Sequence, residues 1–211
     1  MQTAQRWKRR KEARPPEILE AALAVFAEKG FAATRMEDIA RSAGVTKGTI
    51  YLYFESKEAV FRGLVQQSIG TALSGIVETT QHFKGSAREL LRLVLTALGE
   101  FVRTSDRVVL LKILIAEAGN FPDMARFYRK EIINKGLSLM GDAIALGVSR
   151  GEFREIAPQH AARLCVAPIL LAAFWRTTFA QFDSEPYDYQ GLIDTHIDTL
   201  LRGLAPDKGA T

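Results

Sequence analysis

The sequence predicts an all-α protein of about nine helices. Apolar residues recur at spacings of three and four along nearly the whole chain, and no alternating strand pattern extends beyond a few residues. Turn-forming combinations of Gly, Pro, Asn and Ser interrupt this periodicity at 84–86, 119–122 and 150–152. With 211 residues, 47% of them apolar and 25% charged, the chain has the size and composition of a globular protein with a sizeable core.

The first three helices are predicted between Pro16 and Phe54. We expect the first to begin near Pro16 and to end at Gly30. Thr34 and Glu37 have the spacing of a capping box, which predicts a second helix ending at Gly44. A third helix is predicted from Thr46 to about Phe54.

The remaining helices are longer. Ser56 is the expected cap of a long fourth helix. Including this fourth helix, the periodicity predicts six helices, at about 57–82, 86–104, 106–118, 122–149, 158–181 and 188–204. Because no Pro-rich or Ser-rich linker divides the chain, we expect the fourth helix to join its two halves mechanically.

Composition excludes several functional classes. A single Cys cannot form a disulfide within the chain, and with only three His residues it cannot build a thiolate-rich zinc site. No metal site, cofactor or catalytic residue is expected, because no nucleophile–base pair, carboxylate pair or phosphate loop is recognisable. The longest apolar run, 166–175, is too short to span a membrane, and no secretory signal follows the basic start. We interpret the protein as cytoplasmic.

Positive charge is concentrated at the N-terminus. Up to Gly63 there are 12 Lys and Arg against 8 Asp and Glu, whereas the remainder contains 16 of each. Arg6, Lys8, Arg9 and Arg10 lie in the first fourteen residues, where Glu12 is the only acidic residue. This pattern favours a polyanionic partner such as DNA, although a solvated tail without function also fits.

The segment from Met36 to Phe54 has the pattern of a helix-turn-helix. Two crossing helices need a small residue at their contact, a Gly in the turn and apolar residues on a shared core. Ala40 and Gly44 meet the first two needs, and Ile39, Val45 and Ile50 meet the third. A generic helical hairpin, in which the Gly only ends a helix, is the alternative from spacing alone.

The outward side chains favour a DNA reader. The N-terminal end of the third helix carries small, hydroxyl-bearing, cationic and phenolic residues, and this end of a recognition helix faces base edges in the major groove. These residues are Thr46, Lys47, Gly48, Thr49 and Tyr51. Tyr53 and Lys57 are suited to phosphate oxygens. The basic residues Arg6 to Arg10 are expected to form a flexible arm that reaches around the duplex or enters the minor groove.

The stretch FAEKGFAATRMEDIARSAGVTKGTIYLYFESKEAVF resembles the N-terminal domain of the TetR family of bacterial transcriptional repressors. The family pattern is nearly unbroken from Gly30 to Glu58, and the match covers about the first 65 residues. The stretches ILIAEAGNFPDMARFYRKEIINKG and SRGEFREIAPQHAARL resemble the multidrug-regulator branch.

This resemblance implies two domains, a basic arm with a helix-turn-helix at 1–62 and an effector-binding and dimerisation domain at 63–211. It also implies that Thr34 contacts phosphate, that Thr46, Lys47, Thr49 and Tyr51 meet bases or nearby backbone, and that Tyr53 and Lys57 hold phosphates. Base contact from Leu52 is doubtful, because many family members have a polar or aromatic residue there.

The resemblance further implies a homodimer in which the last two helices of each chain form a four-helix bundle. An apolar stripe from Tyr189 to Leu204 supports this, although the core of a monomer would show the same pattern. The expected interface residues are Ala172, Leu192, His196, Ile197, Leu200 and Leu204.

A small apolar effector is expected to bind among the middle helices and to release the protein from a palindromic operator. The candidate lining residues are Phe101, Leu114, Glu117, Phe121, Phe127, Met140, Phe174 and Trp175, and ordinary core packing is the alternative for each aromatic residue. Glu117 has three alternatives: pairing with Arg176, facing a wet cavity or ligand, or lying exposed at a helix end. A sequence-nonspecific DNA-binding adaptor is the alternative function, and activation in place of repression stays open.

Overall fold

The computed structural model describes residues 2–206, and the side chains from Arg14 to Pro206. Within this range the backbone forms helices and turns and no strand, so the all-α prediction is confirmed. None of the described helices has the length and apolar content needed to cross a membrane.

Two compact units make up the described chain. One contains the residues up to Ile69 together with Ile113–Tyr128, and the other contains Gly70–Lys112 and the residues from Arg129 onward. This division differs from the expected boundary after residue 62, because the segment Ile113–Tyr128 packs with the N-terminal helices.

The N-terminal unit contains α1 (Gln2–Lys29), α2 (Met36–Ser42), α3 (Lys47–Tyr51), α4 (Lys57–Val65), most of α7 (Val109–Glu117) and α8 (Pro122–Tyr128). Its core is formed by apolar side chains from α1 to α4 and from the α1–α2 turn. The largest fully buried ones are Ile18, Phe26, Phe31, Ile39, Ile50, Phe61 and Leu64.

Helix α1 begins earlier than predicted. The helix passes through Pro15 and Pro16 and extends back to Gln2, so the backbone expected to form a flexible arm continues α1. Its Lys, Arg, Glu and Ala residues have high helix propensity, whereas Pro15 and Pro16 oppose a continuous helix. The side chains of Arg6, Lys8, Arg9 and Arg10 lie outside the described ones, so their role stays a prediction.

The predicted cap of α2 is wrong by one residue. Arg35 is the N-cap, and its N–H donates to Oδ2 of Asp38 at 3.1 Å. Thr34 instead donates its hydroxyl to the carbonyl oxygen of Gly30 at 2.7 Å. Gly30 has φ +77°, which ends α1 as predicted. The buried Thr34 thereby closes the C-terminus of α1.

The C-terminal unit contains α5 (Thr71–Gln81), α6 (Ala87–Thr104), the start of α7, α9 (Asn134–Ser149), α10 (Pro158–Thr178) and α11 (Tyr189–Gly203). Ser86 and Glu89 form a capping box at the start of α6. Apolar residues of α6, α9, α10 and α11 form one core, with Leu91, Leu95, Ile144 and Cys165 at its centre.

Two predicted long helices are each interrupted by a π-helical segment. Gln66–Gly70 lies between α4 and α5, and Arg129–Ile133 lies between α8 and α9. The chain passes from one unit to the other at or beside each of these segments. A π-turn places one extra residue in the helical backbone, and the spacing of apolar residues does not reveal it.

Three of the six expected dimer residues are buried by their own chain, and the other three are half-buried. Ala172, Ile197 and Leu204 are buried in the C-terminal core, so residues of their own chain already cover them. Leu192, His196 and Leu200 are half-buried, and Nε2 of His196 donates to the carbonyl oxygen of Cys165 at 2.8 Å. Six of the large exposed apolar residues lie instead on α10 and just after it: Leu164, Leu170, Leu171, Trp175, Phe179 and Phe182.

Candidate nucleic-acid interface

Helices α2 and α3 form the predicted helix-turn-helix. Gly44 has φ +63°, a conformation that other residues rarely adopt, and it sits in the turn between the two helices. The N–H of Val45 donates to the carbonyl oxygen of Ala40 at 2.9 Å. Ile39 and Ile50 of the predicted shared core are buried, as is Ala40 at the crossing, whereas Val45, the third predicted core residue, is half-buried.

The opposite side of α3 carries five of the predicted DNA-binding residues. We call these residues, Thr46, Lys47, Gly48, Thr49 and Tyr51, the recognition surface. All are exposed except Thr49, which is half-buried. Thr46 caps the helix by accepting from the N–H of Thr49 at 3.2 Å, and their two hydroxyl oxygens lie 2.8 Å apart. Nothing in the described part of the N-terminal unit covers this surface.

Gly48 has no structural reason within the chain to lack a side chain. Its φ is not positive, and an added Cβ would meet only Oγ1 of Thr46, at 3.9 Å. Gly in a helix costs about 0.5 to 1 kcal/mol relative to Ala. The missing side chain leaves the backbone at Gly48 open to close approach from outside the protein.

Lys47 is the cation of the recognition surface, and it is paired in the free protein. Its Nζ lies 2.6 Å from Oε1 of Glu37 on α2. The hydrogen bond to Lys47 is the main cause of a lowered pKa of Glu37, and the same bond raises the pKa of Lys47. Both side chains are exposed, so water and phosphate compete for the ammonium group.

Thr34 and Lys57, predicted to contact phosphate, do not belong to the recognition surface. Thr34 is buried and its hydroxyl is used by Gly30, so its side chain is not available to DNA. The Nζ of Lys57 donates to the carbonyl oxygens of Phe31, Ala32 and Thr34 at 2.9, 2.9 and 3.3 Å.

Three residues near the recognition surface were missed or set aside in the sequence analysis. Leu52 is 80% exposed, a large apolar side chain directly after Tyr51. Arg35 is exposed at the start of α2, and Arg41 is exposed at its end, 3.6 Å from Asp38. Their positive charge at the two ends of the predicted second helix was the available signal for both arginines. Tyr53 is half-buried.

The predicted effector residues are divided between the units. Leu114, Glu117, Phe121 and Phe127 belong to the N-terminal unit, whereas Phe101, Met140, Phe174 and Trp175 belong to the C-terminal unit. Met140 is buried in the core, and Trp175 is exposed and donates from Nε1 to Asp183 at 2.8 Å. Arg176 does not pair with Glu117, because it donates to the carbonyl oxygens of Val102 and Ser105 near the end of α6.

The C-terminal unit also has an open cleft of about 520 Å³ between α9 and α10. Its lining is mixed, with Asn134, Ser138, Asp142 and Arg163 among the polar residues. None of the predicted effector residues lines this cleft.

Two family models match the sequence. The model for bacterial regulatory proteins of the tetR family matches residues 18–64, and the tetracyclin repressor-like C-terminal domain matches residues 84–185.

Several curated relatives are similar over most of their length. The HTH-type transcriptional regulator RutR of Escherichia coli K12 is 31% identical over 80% of this chain and 74% of its own length. The fatty acid metabolism regulator protein of Bacillus subtilis is 26% identical over 92% of this chain and 98% of its own.

Solved structures share the fold. FadR from Bacillus subtilis in complex with stearoyl-CoA has a TM-score of 0.69 and 24% identity, covering 89% of this chain and 98% of that one. The fatty acid degradation regulator FadR from Bacillus halodurans has a TM-score of 0.72 and 23% identity, covering 89% and 94%.

Proposed function

The chain belongs to the TetR family of bacterial transcriptional regulators, and on this premise we propose that its recognition surface reads a palindromic operator. As a family member it is a ligand-responsive, DNA-binding regulator that acts as a homodimer. The finer statements below concern the residues that contact DNA, the dimer face and the chemistry of the effector.

Gly48 is the observation that carries the proposed DNA contact. No contact within the protein requires a glycine at this position. Gly48 lies at the centre of an exposed surface that carries hydroxyl groups and a cation. In our proposal the helix backbone at Gly48 approaches the floor of the major groove, while Thr46, Thr49 and Tyr51 contact base edges or nearby phosphates. Lys47 exchanges its partner Glu37 for a phosphate.

Leu52 extends this surface with an apolar group. A leucine 80% exposed beside the recognition residues is suited to contact with a thymine methyl group. Arg35 at the N-cap of α2 and Arg41 in its last turn are exposed cations suited to phosphates. Residues 1–62 are thus our proposed DNA-binding region.

Footprinting tests this proposal. The probe is a duplex selected by the protein from a random-sequence pool. We expect two protected half-sites whose centres are about 34 to 36 Å apart, as two recognition helices of a twofold dimer require. Uniform protection along every duplex would support the sequence-nonspecific adaptor, which no observation here favours.

The outer face of α10 is our proposed dimer contact. Leu164, Leu171 and Trp175 are exposed at helical spacing, and Phe179 continues the same face. Exposed apolar side chains in such number on one helix are typical of an interaction site. A partner α10 would cover them, and the half-buried Leu192, His196 and Leu200 of the expected α11 stripe stay in the proposal.

A long-chain fatty acyl-CoA is our proposed effector, and we place its binding in the region 63–211. The support is the similarity to a fatty acid metabolism regulator over nearly its whole length and the fold shared with FadR bound to stearoyl-CoA. Phe101 and Phe174 are half-buried aromatic residues of the C-terminal unit and are suited to an acyl chain. DNA as its target places the protein's action in the cytoplasm.

Titration with acyl-CoA tests the effector. We expect stearoyl-CoA to release the selected duplex, by about 5- to 150-fold in affinity, and free CoA to leave binding unchanged. Release by CoA alone, or no release by acyl-CoA of any chain length, would contradict this effector class.

A further inference from the structure

The α7–α8 segment is covalently part of the C-terminal half of the chain but packs in the N-terminal unit. The flanking residues, Gly70–Lys112 before it and those from Arg129 onward after it, belong to the C-terminal unit. Any shift of the C-terminal half therefore reaches Ile113–Tyr128 through the backbone at both ends.

Lys57, in the first turn of α4, holds the α1–α2 turn. An ammonium group has three N–H donors, and the three carbonyl oxygens of Phe31, Ala32 and Thr34 account for all three. Its Nζ also lies 4.8 Å from the ring centre of Phe31. The side chain thus has no donor left for a phosphate while these bonds persist.

The α7–α8 loop closes the other side of the same turn. The ring of Phe121 meets that of Phe31 edge-on, with centres 4.8 Å apart, and lies 5.3 Å from Nζ of Lys57. Oε1 of Glu117 accepts from the N–H of Ala32 at 3.3 Å, and its Oε2 accepts from Nδ2 of Asn120 at 3.1 Å. We call Phe31, Ala32, Lys57, Glu117 and Phe121 the turn clamp.

Phe31 connects the turn clamp to the core under the helix-turn-helix. Its ring is 1% exposed and contacts Phe26 and Phe61 at 5.1 and 5.7 Å between ring centres. If the α7–α8 loop moves away, the ring of Phe31 loses the cover of Phe121, and Lys57 loses one of its two aromatic neighbours. The loop and the turn therefore move together, because packed aromatic clusters deform poorly.

We infer that Lys57, Glu117 and Phe121 are positioning residues that transmit the effector response from the α7–α8 loop to the α1–α2 turn and so to α2 and α3. The inference rests on the proposed effector response, and it assigns to Lys57 a role other than phosphate binding. Phe121 and Glu117 are accordingly removed from the proposed effector lining.

The test separates effector binding from effector response. Phe121→Leu removes the ring contact and keeps an apolar side chain, whereas Phe121→Tyr keeps the ring. Phe83→Leu is the matched control, because Phe83 is an equally half-buried phenylalanine that packs in the other unit. For each variant we would measure affinity for the selected duplex, affinity for stearoyl-CoA without DNA, and release of the duplex by stearoyl-CoA.

We expect Phe121→Leu to bind stearoyl-CoA within about 3-fold of the wild type but to lose most of a release of about 5- to 150-fold. Phe121→Tyr and Phe83→Leu should retain the release. Normal release from Phe121→Leu would overturn the inference. If that variant does not fold, Glu117→Gln, which keeps the length and one acceptor oxygen, is measured in its place and should show a partial loss.

A second measurement needs no effector. Coupling between two sites is reciprocal, so binding of the selected duplex must alter the α7–α8 loop. We expect hydrogen exchange of the amides at 118–121 to change on DNA binding in the wild type and to remain unchanged in Phe121→Leu. If stearoyl-CoA does not release the duplex, the proposed effector class is wrong. The exchange measurement still tests the inference, because unchanged exchange at 118–121 in the wild type on DNA binding would overturn it.

Discussion

Lys47 and Lys57 are identical side chains ten positions apart, and the structure gives them opposite surroundings. Lys47 is exposed on the recognition surface and paired with one carboxylate at 2.6 Å. Lys57 is half-buried in the turn clamp and donates to three backbone carbonyls. The comparison teaches that a lysine next to a helix-turn-helix is available to DNA only when backbone carbonyl oxygens of the same chain do not occupy the N–H donors of its ammonium group.

The largest expected effect concerns the stability of the turn clamp. Lys57→Met should lower the free energy of unfolding by about 2 to 3 kcal/mol, because it removes hydrogen bonds to a charged donor and leaves partly buried carbonyls without a partner. Urea unfolding of the full chain measures this. Lys47→Met is the control and should change stability by less than about 0.5 kcal/mol. Equal losses in both variants would remove the contrast between the two lysines.

The next effect concerns Gly48 on the recognition surface. Gly48→Ala should stabilise the chain by about 0.5 to 1 kcal/mol and weaken operator binding by about 1 to 3 kcal/mol, because the new methyl group overpacks the DNA contact. Gly75→Ala is the control, since Gly75 is also an exposed helical glycine with open space around its Cβ position. It should gain the stability alone. Undiminished binding by Gly48→Ala would argue against close approach at this helix.

The salt dependence of operator binding separates the two lysines directly. Lys47→Met should reduce the slope of log K against log salt by about 0.9, the amount expected for one phosphate neutralised. Lys57→Met should leave the slope unchanged, whatever its effect on affinity. A reduced slope in Lys57→Met would return that residue to the DNA interface.

The smallest effect concerns Glu37. Glu37→Gln frees Lys47 and removes a negative charge near the phosphates, so operator affinity should rise by about 2- to 5-fold, as loss of an exposed ion pair allows. Because the pKa of Glu37 is lowered by Lys47, mild acidification does not mimic the variant. Binding measured at pH 6 and pH 8 in the wild type should therefore show no comparable gain from this group. A fall in affinity would show that Glu37 positions Lys47 for DNA.

Local signals predicted much of the fold and the recognition surface. Gly30, Gly44 and Ser56 end or cap helices as predicted, because each acts through its own backbone or that of residues three positions away. The spacing of apolar residues predicted the buried face of α2 and α3. The remaining, polar positions of these helices were therefore predicted to be exposed.

The parts that depend on distant contacts could not be predicted. Thr34 and Arg35 both had a suitable acidic residue three positions later, and the choice was made by the carbonyl oxygen of Gly30, which takes the Thr34 hydroxyl. The role of Lys57 depends on the fold of a turn more than twenty residues away. On α11, an apolar stripe looks the same whether its own chain or a partner covers it, so Ile197 and Leu204 were assigned to the wrong surface.

The proposed dimer face on α10 makes the stability of the regulator depend on its own concentration. In our proposed dimer a second copy covers the exposed Leu164, Leu171 and Trp175, so dimerisation stabilises the fold and the folded population rises with total protein concentration. At low copy number the dissociated chain lacks the stabilisation by its partner. It also lacks the second recognition helix that a palindrome requires. Occupancy of the operator consequently depends more steeply than linearly on how much protein the cell makes.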